Sequence, residues 1–418
     1  MMYGNAARWC TAMPTRRTVL RHLACAAPCL AAGLSARIEG AGLSGAVPAP
    51  LGGWGGQDLA GTAPRARYWV SGAAAGAECL ACHAPGEKLD REHVHAQTTV
   101  RCQLCAQSCT IKAGARGRCR VRLNVGGELR SLVYGRPLAV NVDPIEKKPL
   151  YHFLPGRTAF SIGTAGCPLR CKFCQNWQLS QSSPEDYNVA YAAPAEIVER
   201  AVQRGSPIVA FTYNEPTVFA EYALDIAAKA RERGLRSVMI SCGFATEKPL
   251  ADLCGALDAI KIDLKGFSDD FYRTVSSAAL APVLRSIAQV HKAGRHLEIV
   301  NLVVPTLNDA LPSLRALADW VMGELGPDVP VHFTRFHPDY QLLNLPPTPI
   351  ATLDRARAIA MARGLRYVYV GNVPGHPGNN TYCPGCGKIV VARQDFFVTE
   401  STLKDGRCGA CGRVIAGV

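Results

Sequence analysis

At 418 residues the chain is long enough to bury one large core and carry smaller attachments. Its 48% hydrophobic and 19% charged content excludes a disordered polymer. The net charge of +13 sits in the flanks: residues 1–70 carry seven Arg against two acids, 71–150 twelve basic against seven acidic, and 151–382 a near-neutral 22 and 21. No Lys/Arg run with interleaved aromatics appears, so no nucleic-acid partner is expected.

In chain order, residues 1–36 have the shape of a twin-arginine export leader, Thr15-Arg16-Arg17-Thr18-Val19-Leu20 followed by an Ala/Leu-rich stretch, with a disordered basic arm as the alternative. Residues 37–66, rich in Gly, Ala and Pro, read as a linker. Residues 67–157 form a cysteine-bearing module ending in a β-leaning region, Leu129–Val140. From Thr158 apolar runs alternate with amphipathic ones. Strands are predicted at Thr158–Ile162, Pro207–Thr212, Leu235–Ile240, Leu257–Ile262, His296–Val304, Pro330–Phe336 and Arg366–Val370. Helices fall near 194–204, 217–233, 246–254, 280–293, 310–324 and 350–363. Such βα alternation predicts an α/β fold, a parallel sheet curled into a barrel or partial barrel over 158–375. Residues 376–418 are a cysteine-rich, zinc-ribbon-like tail.

The 18 cysteines fall mostly in tight local sets, a pattern suited to metal ligation rather than to bridging distant segments. The most informative is Cys167-x-x-x-Cys171-x-x-Cys174, directly after the first predicted strand of the alternation. Three thiolates at this spacing can ligate three irons of a [4Fe–4S] cluster and leave the fourth open. S-adenosylmethionine (SAM) can chelate that iron, and a low-potential electron donor could then drive cleavage of its sulfonium. Zinc would need a fourth local ligand that is absent. Cys102, Cys105, Cys109 and Cys119 can close a tetrahedral site, either for zinc or for an auxiliary iron–sulfur cluster. Cys383, Cys386, Cys408 and Cys411 have ribbon spacing and suit zinc or iron. Cys79-Leu-Ala-Cys82-His83 satisfies the c-type haem pattern, with another metal or no cofactor as alternatives.

Several segments carry a family resemblance: Asp143-Pro-Ile-Glu-Lys-Lys-Pro-Leu-Tyr-His-Phe-Leu-Pro-Gly156, the cysteine loop with Gln175-Asn176-Trp177, Phe211-Thr-Tyr-Asn-Glu-Pro-Thr217, Ile262-Asp-Leu-Lys-Gly266 and Arg335-Phe-His-Pro338. In their order the chain resembles the radical SAM enzymes of the AmmeMemoRadiSam system, which are related to pyruvate formate-lyase activating enzymes. The resemblance covers roughly residues 100–418 and implies a radical SAM partial (β/α)6-type barrel. Memo-like and AMMECR-like proteins are the implied system partners, and activation of a glycyl-radical enzyme is the neighbouring activity. It also implies SAM contacts. Asn214 and Glu215 match the place of a Gly-Gly-Glu-Pro segment facing the SAM amino group. Asp263 and Lys265 would face its carboxylate and ribose, and His337 would contact SAM or substrate. Gly243 lies in a Ser-Cys-Gly segment where the family has Ser-Asn-Gly; there Cys242 reads as a buried small residue. The structural alternatives are a helix-starting Glu-Pro for Glu215, a salt bridge for Asp263 and Lys265, and a capping or core histidine for His337. SAM chemistry favours the cytoplasm, whereas the leader points to export or membrane association.

Overall fold

A computed structural model of the chain describes residues 59–72 and 98–418. The expected leader and the Cys79–Cys82–His83 set lie outside the described residues. Among those described, no helix is long and apolar enough to cross a membrane.

The central sheet has eight strands: β1 (Ala139–Pro144), β2 (Thr158–Gly163), β3 (Ile208–Phe211), β4 (Arg236–Ser241), β5 (Ala259–Asp263), β6 (His296–Val303), β7 (Val331–Arg335) and β8 (Val368–Gly371). Spatial order equals chain order, and every pairing from β2 to β8 is parallel. The crossovers are α1 (Pro194–Gln203), α2 (Ala220–Glu232), α3 (Glu247–Ala256), α4 (Leu280–Lys292), α5 (Leu311–Leu325) and α6 (Ile350–Ala362). Each helix packs on the next in sequence, so all six cover one face of the sheet.

Strand periodicity assigns the two faces. Phe160, Ile162, Val209, Phe211, Ile260 and Ile262 point outward into the core shared with the helices. The alternate residues Ala159, Ile208, Ala210, Val238 and Ala259 form a separate inner core with Ile145 and Leu150. Strands buried on both faces need unbroken apolar runs, which is why β3 reads Ile-Val-Ala-Phe.

The sheet begins earlier than the alternation predicts. β1 pairs antiparallel with β2, from Ala139↔Gly163 to Pro144↔Thr158. A proline costs no ladder bond on an edge strand. The segment after it, Ile145–Phe153, lines the inner face. The β-leaning region splits between β1 and a hairpin strand, Glu128–Ser131, paired with Arg122–Val125.

The cysteine-rich tail packs on the central sheet. Tyr151, Tyr367 and Tyr369 share a core with Cys383, Val390, Cys408 and Ile415. Arg393 is buried, stacks 4.2 Å over the Tyr151 ring, donates to Tyr151 O at 2.7 Å and lies 3.6 Å from Glu146 Oε1. Beneath it Glu298 accepts from Tyr151 N (3.0 Å) and His152 N (2.8 Å) and meets His332 Nε2 at 2.7 Å.

Candidate active site

The C-terminal ends of β2–β8 and the loops that follow them surround a cavity of about 420 Å³. Parallel strands deliver their loops to one rim, where barrel folds assemble their chemistry. The volume falls in the range of small-molecule sites.

The loop after β2 places Cys167, Cys171 and Cys174 on the cavity wall. Cys171 is buried and the other two are half-buried. Burial raises all three thiols above their ordinary range, and neighbouring sulfurs add to this for Cys167. Such thiols become thiolates when a metal centre compensates the charge. Among the described residues, only the four tail cysteines bring three or more candidate ligand atoms within 4.8 Å of one another. The rim sulfurs are therefore too dispersed for one mononuclear ion, whereas a cluster spreads its ligands over several irons. The residues present fit a three-thiolate cluster.

The loop is braced from three sides. Arg170 N donates to Ser276 O at 2.9 Å and Lys172 N to Val275 O at 3.0 Å. Asn214, at the end of β3, donates to Gly166 O at 2.7 Å. Asn176 donates to Tyr213 O at 2.9 Å.

Glu215 lines the cavity and ties two strand ends together. Its Oε1 accepts from Thr217 N (3.1 Å), Thr217 Oγ1 (2.5 Å) and Ser241 Oγ (2.8 Å), and its Oε2 accepts from Cys242 N (2.6 Å). These four donors match the about four acceptor positions of a carboxylate. Asp263 lies between two ammonium groups, paired with Lys261 Nζ and 3.3 Å from Lys265 Nζ. Burial opposes its ionisation, but the two lysines outweigh this and hold its carboxyl below the usual range. Lys265 Nζ also lies 5.6 Å over the Phe173 ring. Burial alone would discharge Lys265; Asp263 foremost keeps it charged. Its backbone is set by Asn308, which donates to Lys265 O at 2.7 Å.

Two expected residues stand apart from the cavity lining. Gly243 lies behind the wall at φ +69°, where a Cβ would come within 2.9 Å of Ile262. His337 is exposed, and its Nδ1 meets the adjoining Pro338 O at 3.1 Å. Cys242 is buried at the wall.

Other residues join the cavity without having been singled out: Lys147, Lys148, Lys261, Tyr213, Asn372 and Phe396. Lys148 pairs with Asp143 Oδ2 at 2.6 Å, and Tyr213, at φ +75°, donates to the same oxygen at 2.9 Å. Lys261 had a legible signal, a lysine in phase with Asp263 inside an otherwise apolar strand. Phe396 had none, because it arrives from the tail hairpin.

The remaining cysteine sets behave differently from one another. Cys383 and Cys411 sulfurs lie 3.5 Å apart, Cys386 and Cys408 sulfurs 3.7 Å apart, and all four fall within 4.8 Å. A thiolate tetrahedron around one ion with metal–sulfur bonds of about 2.3 Å has edges of about 3.8 Å, so this group could hold one metal. Cys102, Cys105, Cys109 and Cys119 are neighbours in the N-terminal module, the first, second and fourth buried, but without that convergence.

Comparison with known proteins agrees with this geometry. Residues 161–317 match the model of the Radical SAM superfamily. The chain is 44% identical over 331 residues to an uncharacterized protein of Methanocaldococcus jannaschii, covering 79% of this chain and 97% of that one. It is 24% identical to the pyruvate formate-lyase-activating enzyme of Clostridium pasteurianum, over 37% of this chain and 65% of that enzyme. Among solved structures, a domain of a pyruvate-formate lyase-activating enzyme from Bacteroides vulgatus aligns with a TM-score of 0.36 at 16% identity, covering 39% of this chain and 98% of that one. The cysteine loop, its cavity and the extent of the sequence matches lead to one assignment: the chain belongs to the radical SAM superfamily and is an enzyme related to pyruvate formate-lyase activating enzymes.

Proposed function

We propose that Cys167, Cys171 and Cys174 hold the [4Fe–4S] cluster and that SAM occupies the adjoining cavity. Bound together, cluster and SAM supply reductive cleavage to a 5′-deoxyadenosyl radical, which abstracts hydrogen from a substrate not yet identified. The observation that carries this reading is three buried or half-buried thiols sharing one cavity with the Lys261–Asp263–Lys265 charge array. Lys265 offers its ammonium to the SAM carboxylate, and Asp263 fixes that ammonium while facing the ribose. The Glu215 carboxylate on the cavity wall suits the amino group, which would replace one of its present donors, and Asn214 orients the loop through Gly166 O. The inner sheet face behind them closes a partial barrel, with small residues at Ala159, Ala210 and Ala259 making room for Ile145 and Leu150. Gly243 serves by letting the β4 loop turn close to Ile262, and His337 is available to substrate at the surface.

Order and identity of motifs support membership of the AmmeMemoRadiSam system, with Memo-like and AMMECR-like partners and a low-potential electron donor. The tail spacing supports a structural zinc. A second reading, activation of a glycyl-radical enzyme, is favoured by the likeness to the Clostridium pasteurianum activating enzyme.

The test is anaerobic reconstitution with iron, sulfide, dithionite and SAM. Release of 5′-deoxyadenosine is expected, and its absence from a cluster-loaded sample would refute the reading. SAM deuterated at the 5′ carbon then separates the two substrates. Label exchange with a small molecule supports the first, and a glycyl radical signal on a partner protein the second.

A further inference from the structure

The N-terminal cysteine set lies directly against the active-site loop. Cys102 ends the central strand, Val100–Cys102, of a three-stranded antiparallel sheet with Trp69–Ser71 and Thr110–Ile111. A tight turn, with Ser108 N donating to Cys105 O at 3.0 Å, reverses the chain so that Cys102 N reaches Cys109 O at 2.9 Å. Arg118 N points at the Cys109 sulfur at 3.4 Å, and Cys119 follows one residue later. Cys102, Cys105 and Cys119 are at most 7% exposed. Three buried thiols and the half-buried Cys109 thus lie on adjoining turns, with an amide aimed at the Cys109 sulfur.

A buried donor beside them lacks an acceptor. Arg122, 1% exposed, is bound by Glu221 through its terminal nitrogens, while its Nε–H has no partner. The Arg122 charge acts on Cys102 and Cys119. A buried guanidinium N–H left unbonded is costly unless an acceptor arrives.

The sulfur spacing decides what would arrive. The tail shows how this chain arranges four thiols for one ion, with all sulfurs within 4.8 Å. The N-terminal four lack that convergence, as do the three rim cysteines. In a cubane each thiolate binds a different corner iron, so its sulfurs stand farther apart than around a single ion. In lacking the convergence of a single-ion site, the N-terminal set resembles the active-site set and differs from the tail.

We propose that Cys102, Cys105, Cys109 and Cys119 hold a second [4Fe–4S] cluster, closed by four thiolates and seated on the backbone of the active-site loop. Gly166 shows how close the seat is: at φ +85°, a Cβ there would come within 2.3 Å of Cys119 O. Arg170 bridges the two loops, donating to Cys167 O at 2.8 Å and to Arg118 O at 2.5 Å. Gln107 donates to Pro168 O at 3.1 Å. With every iron ligated, this cluster has no position for SAM, and its chemistry is to hold and pass one electron.

The inference depends on the radical SAM reading for its neighbour but not for its test. The full-length holoprotein, reconstituted with iron and sulfide and supplied with zinc, should contain about eight irons and one zinc. About four irons with two zincs, or four irons with one, would overturn the proposal. The variant Cys167→Ala/Cys171→Ala/Cys174→Ala should keep about four irons and, after dithionite, a cluster EPR signal that SAM does not perturb. Adding Cys102→Ala and Cys119→Ala should remove them. An iron-free triple variant that still carries its tail zinc, alongside a wild type with four irons, would refute the second cluster and leave the first intact.

Discussion

The rim and the tail use the same ligand atom for opposite purposes. In the tail four sulfurs converge within 4.8 Å, two of them exposed, on short CxxC turns. At the rim three sulfurs face a cavity of about 420 Å³, dispersed on a loop braced by Asn214, Asn176 and the 272–276 turn. A closed site satisfies its metal and stops there; an incomplete one leaves a coordination position for a ligand. Closure is set by local turn geometry, whereas incompleteness has to be maintained by the surrounding fold. That is why the rim loop is tied to the end of β3, the 272–276 turn and the N-terminal module, and the tail turns chiefly to themselves.

The sharpest way to break this comparison is to cross the two sites. Cys171→Ala should reduce 5′-deoxyadenosine to background while the tail metal, measured by elemental analysis, stays at wild-type content. Undiminished product would sink the rim assignment. Cys408→Ser should do the reverse, releasing the tail metal and leaving the iron content of the rim unchanged. Structural thiolate sites contribute folding free energy, on the order of 10 kcal/mol in isolated fingers. The tail shares its core with Tyr151, Tyr367 and Tyr369, so thermal melting should show loss of the tail and a lower midpoint for the α/β domain. An unchanged melt would mean that metal does not hold the tail.

Much of this division was legible in the residues. The seven parallel strands follow from apolar runs such as Ile208–Phe211, and each helix from the amphipathic stretch between two of them. The cysteine spacing located the rim because its residues are adjacent in the chain. β1 was obscured because an edge strand is only half apolar: Val140 and Val142 are exposed, and the strand ends in Asp143-Pro144. Phe396 and Arg393 were invisible as site neighbours because tail docking is a nonlocal contact without a periodic signature. Glu215 shows a different limit: its position after β3 predicts proximity to a ligand, but only the fold reveals its bonds to Thr217, Ser241 and Cys242.

A smaller effect is expected where the N-terminal module meets the α/β domain. Arg122 and Glu221 form an ion pair with side chains 1% and 4% exposed. Removing one partner of such a pair leaves a buried charge and costs about 3–5 kcal/mol. Glu221→Gln should therefore lower the melting midpoint clearly while leaving SAM cleavage at permissive temperature. A midpoint within error of wild type would show that the module is not anchored through this pair.

The smallest expected effect concerns Asp143, which links the edge strand to the rim. Its Oδ2 accepts from Lys148 Nζ and from the Tyr213 hydroxyl, and Tyr213 O accepts from Asn176 of the cysteine loop. Burial would raise the Asp143 carboxyl, but Lys148 first and Lys147 next outweigh it and hold the group at about 2, against an ordinary value of 3.8. The unfolded chain therefore binds more protons than the folded one between these two values. The stabilisation is present above about pH 4 and is lost as pH falls toward 2. Asp143→Asn keeps the size of the side chain but removes that charge linkage. Its melting midpoint should lie below that of wild type at pH 6, and the two curves should converge as the buffer is taken below pH 3. A constant gap across the series would mean that Asp143 acts through shape alone. Because Tyr213 depends on the same oxygen, the variant should also raise the KM for SAM more than it lowers kcat, an effect confined to the rim and leaving the tail metal in place.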